Sequence, residues 1–190
     1  LGRLRELYPD KFAPLEDIFG LIHRGTSIFI GSSCGEPQFL IRSLVDHVES
    51  RTHRIYGSRV IHVWTLGVAP YAQKKFEENF RHNSFFISDS SRDVINRGLG
   101  DYTPAHLSDI PRLFRQGKLQ VDVALVQVSL PDENGDMSLG VSVDIVRAAV
   151  AHAKITVAQV NSFMPYVYGE SLVGAADIDY LVPFDERLLE

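Results

Sequence analysis

The chain has a single cysteine, no excess of positive charge and no long hydrophobic run. One cysteine cannot form an internal disulfide, which excludes a disulfide-stabilised secreted scaffold. A formal net charge of -5 at pH 7 provides no basic surface for nucleic acid or an anionic membrane. No segment approaches the ~20 apolar residues that span a bilayer, and the first residues lack the apolar core of a signal peptide. We therefore expect a cytoplasmic protein that binds neither nucleic acid nor a membrane.

The histidines are also uninformative about metals, because the 7 present are scattered and no pair has the spacing of metal ligands. We expect no metal site.

The 190 residues, of which 45% are hydrophobic and 23% charged, are typical of one globular domain with a substantial core. We find no repeat, linker or low-complexity tract, so we predict a single α/β domain over residues 1–190. Because the first residue is Leu1 rather than methionine, we expect a piece of a longer protein.

Short apolar strands alternate with helical patterns along the whole chain. The patterns predict strands over 28–30, 59–64, 84–87, 121–128 and 155–160, and helices over 37–50, 70–79, 92–97, 108–114 and 144–151. Continuous apolar strands separated by helices indicate an open, mostly parallel sheet with helices on both faces. In such sheets, ligands bind at the carboxyl ends of the strands.

The loop that follows the first predicted strand is the strongest candidate for a binding site. This first loop, residues 31–36, consists of Gly31, Ser32, Ser33, Cys34, Gly35 and Glu36. Its two glycines permit a sharp turn and close approach of a ligand, and Pro37 suits the first turn of a helix. Free amides at that helix start could hold a phosphate, a carboxylate or an oxyanion. The alternative is an ordinary turn between a strand and a helix.

Two further loops should lie beside the first one, because they also follow predicted strands. The second loop, residues 129–135, contains the turn formers Pro131, Asn134 and Gly135. These residues either form a purely structural turn or take part in the binding site. The third loop, residues 161–169, should expose two tyrosines, a phenylalanine and a methionine. Such an apolar loop packs under another segment or lines a pocket or interface.

Several parts of the sequence together carry a resemblance to a known family. They are residues 31–38, 101–108, 122–135 and 138–140, with Asn161, Met164, Pro165 and Gly169. In this order and spacing they resemble the amino-terminal domain of the acetyl-CoA hydrolase/transferase family, which includes acetate, butyrate and hydroxybutyrate CoA-transferases of family I. The resemblance implies a fold related to that of sugar-phosphate isomerases, and two similar α/β domains with the active site between them. This chain resembles the first domain.

The resemblance also implies which residues bind the substrate. They are the six residues of the first loop with His106, Asn134, Gly135, Asn161, Met164, Pro165 and Gly169. The family's nucleophile is a glutamate of the carboxyl-terminal domain, so we expect no catalytic residue in this chain. Coenzyme A enters as an acyl-CoA substrate and no cofactor stays bound. The implied partners are the carboxyl-terminal domain, a carboxylic acid acceptor and further copies of the same protein.

Two other functions stay open at this point. The same fold could serve as a non-catalytic module that binds acyl-CoA or a small acid, or as a scaffold. A sugar-phosphate isomerase would need a compact acid and base set that the sequence does not provide.

Three individual side chains have competing roles. Cys34 could be a nucleophile at a helix start, but no histidine is placed beside it as a base. Glu36 could act as an acid, a base or a nucleophile, although an acidic residue here more commonly stabilises the positive end of the following helix. His106 lies either at the pocket edge or in a purely structural position.

The third loop departs from the family pattern. Ser162, Tyr166 and Val167 stand where the family commonly has a proline, a basic residue and a threonine, and Gly174 stands where it often has histidine. These changes predict a more apolar pocket, or relaxed constraint in a protein that no longer catalyses.

Overall fold

The computed structural model describes residues 1–50, 55–67 and 69–190. The strands are β1 (Ser27–Ile30), β2 (Ser58–His62), β3 (Phe80–Ser84), β4 (Gly100–Tyr102), β5 (Val121–Val128), β6 (Asp136–Ser138), β7 (Ala153–Val160), β8 (Leu172–Gly174) and β9 (Tyr180–Pro183). The helices are α1 (Gly2–Leu7), α2 (Leu15–Phe19), α3 (Gln38–Ser50), α4 (Asp89–Asn96), α5 (Ile110–Arg115) and α6 (Val146–Val150). None of the helices within these ranges is long and apolar enough to cross a membrane.

Across the described ranges, seven parallel strands form one sheet in the order β4-β3-β2-β1-β5-β7-β9, and β6 pairs with β8 in a small antiparallel ribbon. Both faces of the sheet are buried, as β1 illustrates. Ile28 and Ile30 pack with Leu40 and other residues of α3 in one core cluster, whereas Phe29 packs with α5 in the other. The predicted α/β class, with a parallel sheet and helices on both faces, is confirmed.

The strand order places the first loop at a special point of the sheet. From β1 the chain moves to β2 on one side, and it later returns to β5 on the other side. The carboxyl ends of β1 and β5 therefore flank a topological switch point, where open α/β sheets leave a crevice for ligands. The first loop leaves β1 at this crevice.

The region after β2 differs from the prediction. Instead of a helix over 70–79 there are two short 3-10 turns, Pro70–Ala72 and Lys74–Phe76, and β3 lies four residues before the predicted strand over 84–87. The periodicity failed here because β3 buries the polar residues His82, Asn83 and Ser84, with Phe80 as its one buried apolar residue. The short strands β4, β6, β8 and β9 were also missed.

The starts of α4, α5 and α6 differ in whether a side chain caps the helix. α4 begins at Asp89, three residues before the predicted start, because Ser88 and Ser91 form a reciprocal capping box. α5 begins at Ile110, and Ser108 does not cap it. Asp144 does accept the amides of Ile145 and Val146 at the start of α6.

Candidate functional site

The first loop closes on itself more tightly than the sequence suggested. Ser33–Gly35 form a 3-10 turn, in which the amides of Gly35 and Glu36 donate to the carbonyls of Ser32 and Ser33 at 3.2 and 3.1 Å. The 3-10 turn uses two amides of the loop, whereas the amides of Phe39 and Leu40 at the start of α3 have no acceptor in the described ranges. Within the described part of the chain, the amides of Ser32 and Cys34 have no acceptor. Ser32 is 1% exposed and Cys34 is partly buried, so Cys34 is the more accessible of these two candidate donors for an anion.

Contacts with the β2 end hold this loop in a strained conformation. Ser33 has a φ of 55°, in the left-handed region that side chains disfavour. Its amide donates to the carbonyl of Trp64 at 3.0 Å, which ties the turn to the segment after β2. The hydroxyl of Ser32 is buried and has no partner in the described ranges. Strain and an unpaired hydroxyl together mark the turn as a functional candidate.

The close approach at the loop glycines is made by the protein itself. A Cβ added to Gly35 would lie 2.3 Å from the Cβ of Ser142, and one added to Gly31 would lie 3.4 Å from the carbonyl oxygen of Gly35. The hydroxyl of Ser142 donates to the carbonyl of Ser32 at 3.0 Å. Gly35 therefore makes room for Ser142, whereas the sequence predicted room for a ligand.

Glu36 joins the first loop to the segment that follows β2. The side chain is buried, and its Oε1 accepts the amide of Leu66 at 2.5 Å. Its Oε2 accepts the amide of Gly67 at 3.3 Å and the side-chain Nε2 of Gln38 at 2.9 Å. A Cβ on Gly67 would lie 2.5 Å from that Nε2, so a larger residue there would displace the Gln38 amide group. The carboxylate bridges two loops and accepts no backbone amide of α3.

Burial has the largest effect on the pKa of the Glu36 carboxyl group. It raises the pKa of Glu36 to about 7, although the hydrogen bonds from Leu66, Gly67 and Gln38 act in the opposite direction. No Lys or Arg in the described ranges forms an ion pair with Glu36. A buried carboxyl group without a counter-charge takes up a proton near neutral pH.

A second polar connection runs from the first loop to the third. Gln127, near the end of β5, donates to the carbonyl of Glu36 at 3.2 Å and accepts Asn161 Nδ2 at 2.6 Å. Asn161 also donates to the carbonyl of Glu186 at 2.6 Å, and its Oδ1 accepts the amides of Phe163 and Glu186 at 3.0 and 3.1 Å. Asn161 is thus a fully paired structural centre at the edge of the sheet. Its polar atoms are already occupied by protein partners.

The third loop is only partly exposed. Met164 is buried, and its Sδ would lie 2.3 Å from a Cβ on Gly140, so it packs inward rather than lining open space. Phe163 and Tyr168 are 54% and 83% exposed, as their loop position predicted. The Tyr166 hydroxyl donates to Asp132 at 2.9 Å and thereby joins the third loop to the second.

The remaining predicted residues of the third loop, Pro165 and Gly169, are exposed. Gly169 has a φ of 96°, so it is a turn residue that requires glycine. Neither residue has a contact with the first loop among the described hydrogen bonds.

Asn134 and Gly135 have the contacts of a turn. The amide of Asn134 donates to Asp132 Oδ1 at 2.8 Å, and Gly135 has a φ of 89°. A Cβ on Gly135 would lie 3.4 Å from Leu4 of α1, so this tip faces the amino-terminal helix. The structural reading of this turn is therefore the better supported one.

His106 is exposed and follows β4, the edge strand three positions from β1. With ~4.8 Å between neighbouring strands, β4 lies about 14 Å from β1. The described hydrogen bonds do not connect His106 with the first loop.

Cys34 is partly buried, and its Sγ contacts the hydroxyl of Ser33 at 3.8 Å. This contact supplies no base, so the geometry does not favour a nucleophilic thiol. Within the described ranges, no three metal-ligating side chains converge on one point.

Sequence reasoning missed the residues that hold the site together. Gln38, Gly67, Gln127 and Ser142 form or accommodate its main contacts, as described above. The available signals were a glutamine near the end of an apolar strand, at Gln127, and a glycine shortly after another, at Gly67.

A buried aromatic cluster lies behind this edge. The Tyr71 hydroxyl shares a hydrogen bond with His62 Nε2, and the His62 and His82 rings stack with centroids 5.4 Å apart. Burial lowers the pKa of His62 well below its usual value and that of His82 to about 4. Burial and, secondly, the charge of Glu36 raise the pKa of Tyr71. All three side chains are neutral at pH 7.

Comparison with known proteins identifies the family of this chain. The model of the acetyl-CoA hydrolase/transferase N-terminal domain matches residues 3–189. The 4-hydroxybutyrate coenzyme A transferase of Clostridium kluyveri is 36% identical over 185 residues, which are 97% of this chain and 42% of that protein. The succinyl-CoA:acetate/propanoyl-CoA:succinate CoA transferase of Fasciola hepatica is 38% identical over 158 residues, 83% of this chain and 32% of that protein.

A solved structure gives the same result for the fold. The crystal structure of RipA from Yersinia pestis superposes with a TM-score of 0.89 at 25% identity, covering 98% of this chain and 45% of that chain. The chain therefore belongs to the acetyl-CoA hydrolase/transferase family, in which it matches the N-terminal domain. It spans less than half the length of these relatives.

Proposed function

We propose that this chain is the amino-terminal half of a two-domain acyl-CoA:carboxylate CoA-transferase, or acyl-CoA hydrolase, of the acetate or butyrate type. A carboxyl-terminal domain supplies the nucleophilic glutamate, and this chain supplies one wall of the cleft. The observation that carries the proposal is the family match over residues 3–189, combined with the free amides of Ser32 and Cys34 at the switch point. The protein works in the cytoplasm as a homo-oligomer, with acyl-CoA as a substrate that leaves after each turnover.

The chemistry divides between the two domains. The glutamate carboxylate of the second domain adds to the thioester carbonyl, and CoA leaves as a thiolate to give an acyl-glutamyl anhydride. The thiolate then attacks the glutamyl carbonyl, which releases the acid and leaves a glutamyl-CoA thioester. An acceptor carboxylate reverses the two steps, whereas water in its place gives hydrolysis.

The first loop acts on the negative charge that develops on the carbonyl oxygen. The N–H groups of Ser32 and Cys34 are the candidate donors to such an oxyanion, and one such donor contributes ~2.7–4 kcal/mol to transition-state stabilisation. The exposed rings of Phe163 and Tyr168 lie on the third loop, where they can contact an apolar acyl chain or the second domain.

The test uses the full-length protein that contains this chain, with transfer from butyryl-CoA to acetate as the readout. Cys34→Ala removes the thiol and keeps the amide, so we expect kcat/KM within about threefold of wild type. Cys34→Pro removes the amide, so we expect a loss of kcat of about a hundredfold or more, the usual effect of losing one oxyanion donor. Circular dichroism checks that both variants fold. Equal activity of folded Cys34→Pro would exclude this amide from the site, and loss in Cys34→Ala would reinstate the thiol.

The non-catalytic alternative makes a different prediction in the same assay. A binding module would retain butyryl-CoA with no release of thiol and no acyl transfer, even in the full-length protein. Isothermal calorimetry beside the transfer assay distinguishes the two.

A further inference from the structure

We propose that Glu36 is a positioning residue whose ionisation loosens the junction between the first loop and the Leu66–Gly67 segment, so that the neutral carboxyl group is the form that keeps the candidate site in place. The functional part of this inference rests on the proposed function. The structural part concerns this chain alone and is tested separately.

The first step of the argument is the position of the carboxyl group. Glu36 is 1% exposed and accepts three hydrogen bonds, from the Leu66 and Gly67 amides and from Gln38. The two amide bonds, with the Ser33 to Trp64 bond, are the described hydrogen bonds that join the first loop to the segment after β2. Displacing this segment would bring water to the carboxyl group and leave the turn that carries the Ser32 and Cys34 amides held only from the side of Gln127 and Ser142.

The second step is the charge balance. No Lys or Arg of the described ranges pairs with Glu36, so only neutral donors would face its negative charge. An ionised carboxylate that is buried without a cation is unstable relative to one in water. Ionisation therefore favours the displaced, hydrated arrangement, and protonation favours the closed one. The raised pKa of Glu36, about 7, has the same cause and places the transition near neutral pH.

The third step is to identify which neighbouring groups titrate in this range. The elements around Glu36 present neutral side chains, Gln38 from α3 and Gln127 from β5. Burial, and secondly the charge of Glu36, raise the pKa of Tyr71 well above its usual value. His62, beyond Tyr71, has a pKa well below the usual value, and that of His82 is about 4. Cys34 belongs to the same turn and is removed in a control variant below.

The consequence for the site is electrostatic as well as geometric. An ionised Glu36 would add a negative charge next to the turn whose amides receive an anion in the proposed function. Binding of a carboxylate there and ionisation of Glu36 oppose each other, so anion binding should be accompanied by uptake of a proton.

The test follows the Leu66 and Gly67 amides of this chain by NMR hydrogen exchange between pH 6 and pH 8.5, with each rate divided by its intrinsic rate. We expect their protection to fall at least tenfold over this range, with a midpoint that matches the Glu36 carboxyl ¹³C shift. In Glu36→Gln the protection should be independent of pH. Asp144→Asn, which removes another carboxylate that accepts amides, and Cys34→Ala should both retain the wild-type dependence.

Several results would overturn the proposal. They are protection that stays constant within twofold, protection that rises with pH, and a dependence that persists in Glu36→Gln. If Glu36→Gln does not fold, the wild-type ¹³C titration decides, and a midpoint below 5.5 would contradict the proposal. These outcomes do not involve catalysis. Full-length activity without this exchange behaviour would refute only the role of Glu36, and the reverse result would refute only the proposed function.

Discussion

At the residue scale, Gly35 shows how tightly the first loop is packed. A Cβ there would lie 2.3 Å from the Cβ of Ser142. We expect Gly35→Ala to lower the free energy of unfolding by about 1–3 kcal/mol, the usual cost of overpacking. Urea denaturation measures this change.

A second substitution separates this clash from other causes. Gly35→Ala combined with Ser142→Gly removes the opposing Cβ and should recover most of the stability. Gly35→Ala combined with Ser142→Ala keeps that Cβ and should recover none. Equal recovery in both double variants would mean that the clash is not the cause.

The buried histidines lead to a prediction about acid stability. His82 has a pKa of about 4 in the folded chain, below the value of 6.5 for the free side chain, because burial disfavours the cation. As the pH falls from 6.5 to 4, His82 takes up a proton in the unfolded state but stays neutral in the folded state. Stability is therefore lost over this window, by about 3 kcal/mol at ~1.4 kcal/mol per unit of pKa. His62 acts in the same direction.

Denaturation at pH 7 and at pH 4.5, compared between wild type and His82→Gln, measures this effect. The variant should lose less stability on acidification than wild type does. His106→Gln alters an exposed histidine and should behave like wild type. If His82→Gln has the same pH dependence as wild type, His82 is not held neutral.

At the scale of elements, the segment after β9 is attached to the edge of the sheet by buried and by exposed contacts. Asn161 binds the backbone of Glu186 through both side-chain atoms, whereas Arg42 binds the Glu186 carboxylate at 2.7 Å on the surface. Phe184 also stacks on Phe39, with ring centroids 3.7 Å apart. The contacts differ in burial and should therefore differ in strength.

We expect Asn161→Ala to destabilise the chain by about 2–3 kcal/mol, since each buried group left unpaired costs ~1–3 kcal/mol. Arg42→Ala should cost less than about 1 kcal/mol, as exposed ion pairs do. Thermal and urea denaturation rank the two variants. A larger effect of Arg42→Ala would contradict the assignment of Asn161 as the structural centre.

The elements also show where sequence reasoning succeeded. β5 was predicted at Val121–Val128 because an apolar strand buried on both faces gives an unmistakable pattern. α3 was predicted to within one residue because Leu40, Ile41, Leu44, Val45 and Val48 recur at helical spacing. β3 was missed because three of its four buried positions are polar, and β4 was missed because three residues carry too little periodicity.

The candidate site was also predictable only in part. The position of the first loop followed from the sheet rule, which needs only the strand pattern. The partners of its atoms did not, because Trp64, Leu66 and Ser142 are distant in sequence and meet the loop only after folding. Local patterns contain no information about such contacts.

At the scale of the whole molecule, the central claim is that this chain forms one wall of an active site whose nucleophile lies elsewhere. Glu36 is the described acidic side chain closest in sequence to the free amides, but it is buried and engaged by three donors. It is therefore poorly placed to attack a thioester. Met164 and Asn161 are packed inward as well, so the chain offers surface and amides rather than a complete set of reacting groups.

The most direct measurement is acyl transfer from acetyl-CoA or butyryl-CoA to an added short-chain acid, followed by release of thiol. It is made with this chain alone, with its Glu36→Gln variant and with the chain supplied with the carboxyl-terminal domain. The account predicts no turnover by the chain alone and turnover when the second domain is present. Robust turnover by the chain alone that Glu36→Gln abolishes would contradict it and would make Glu36 the nucleophile.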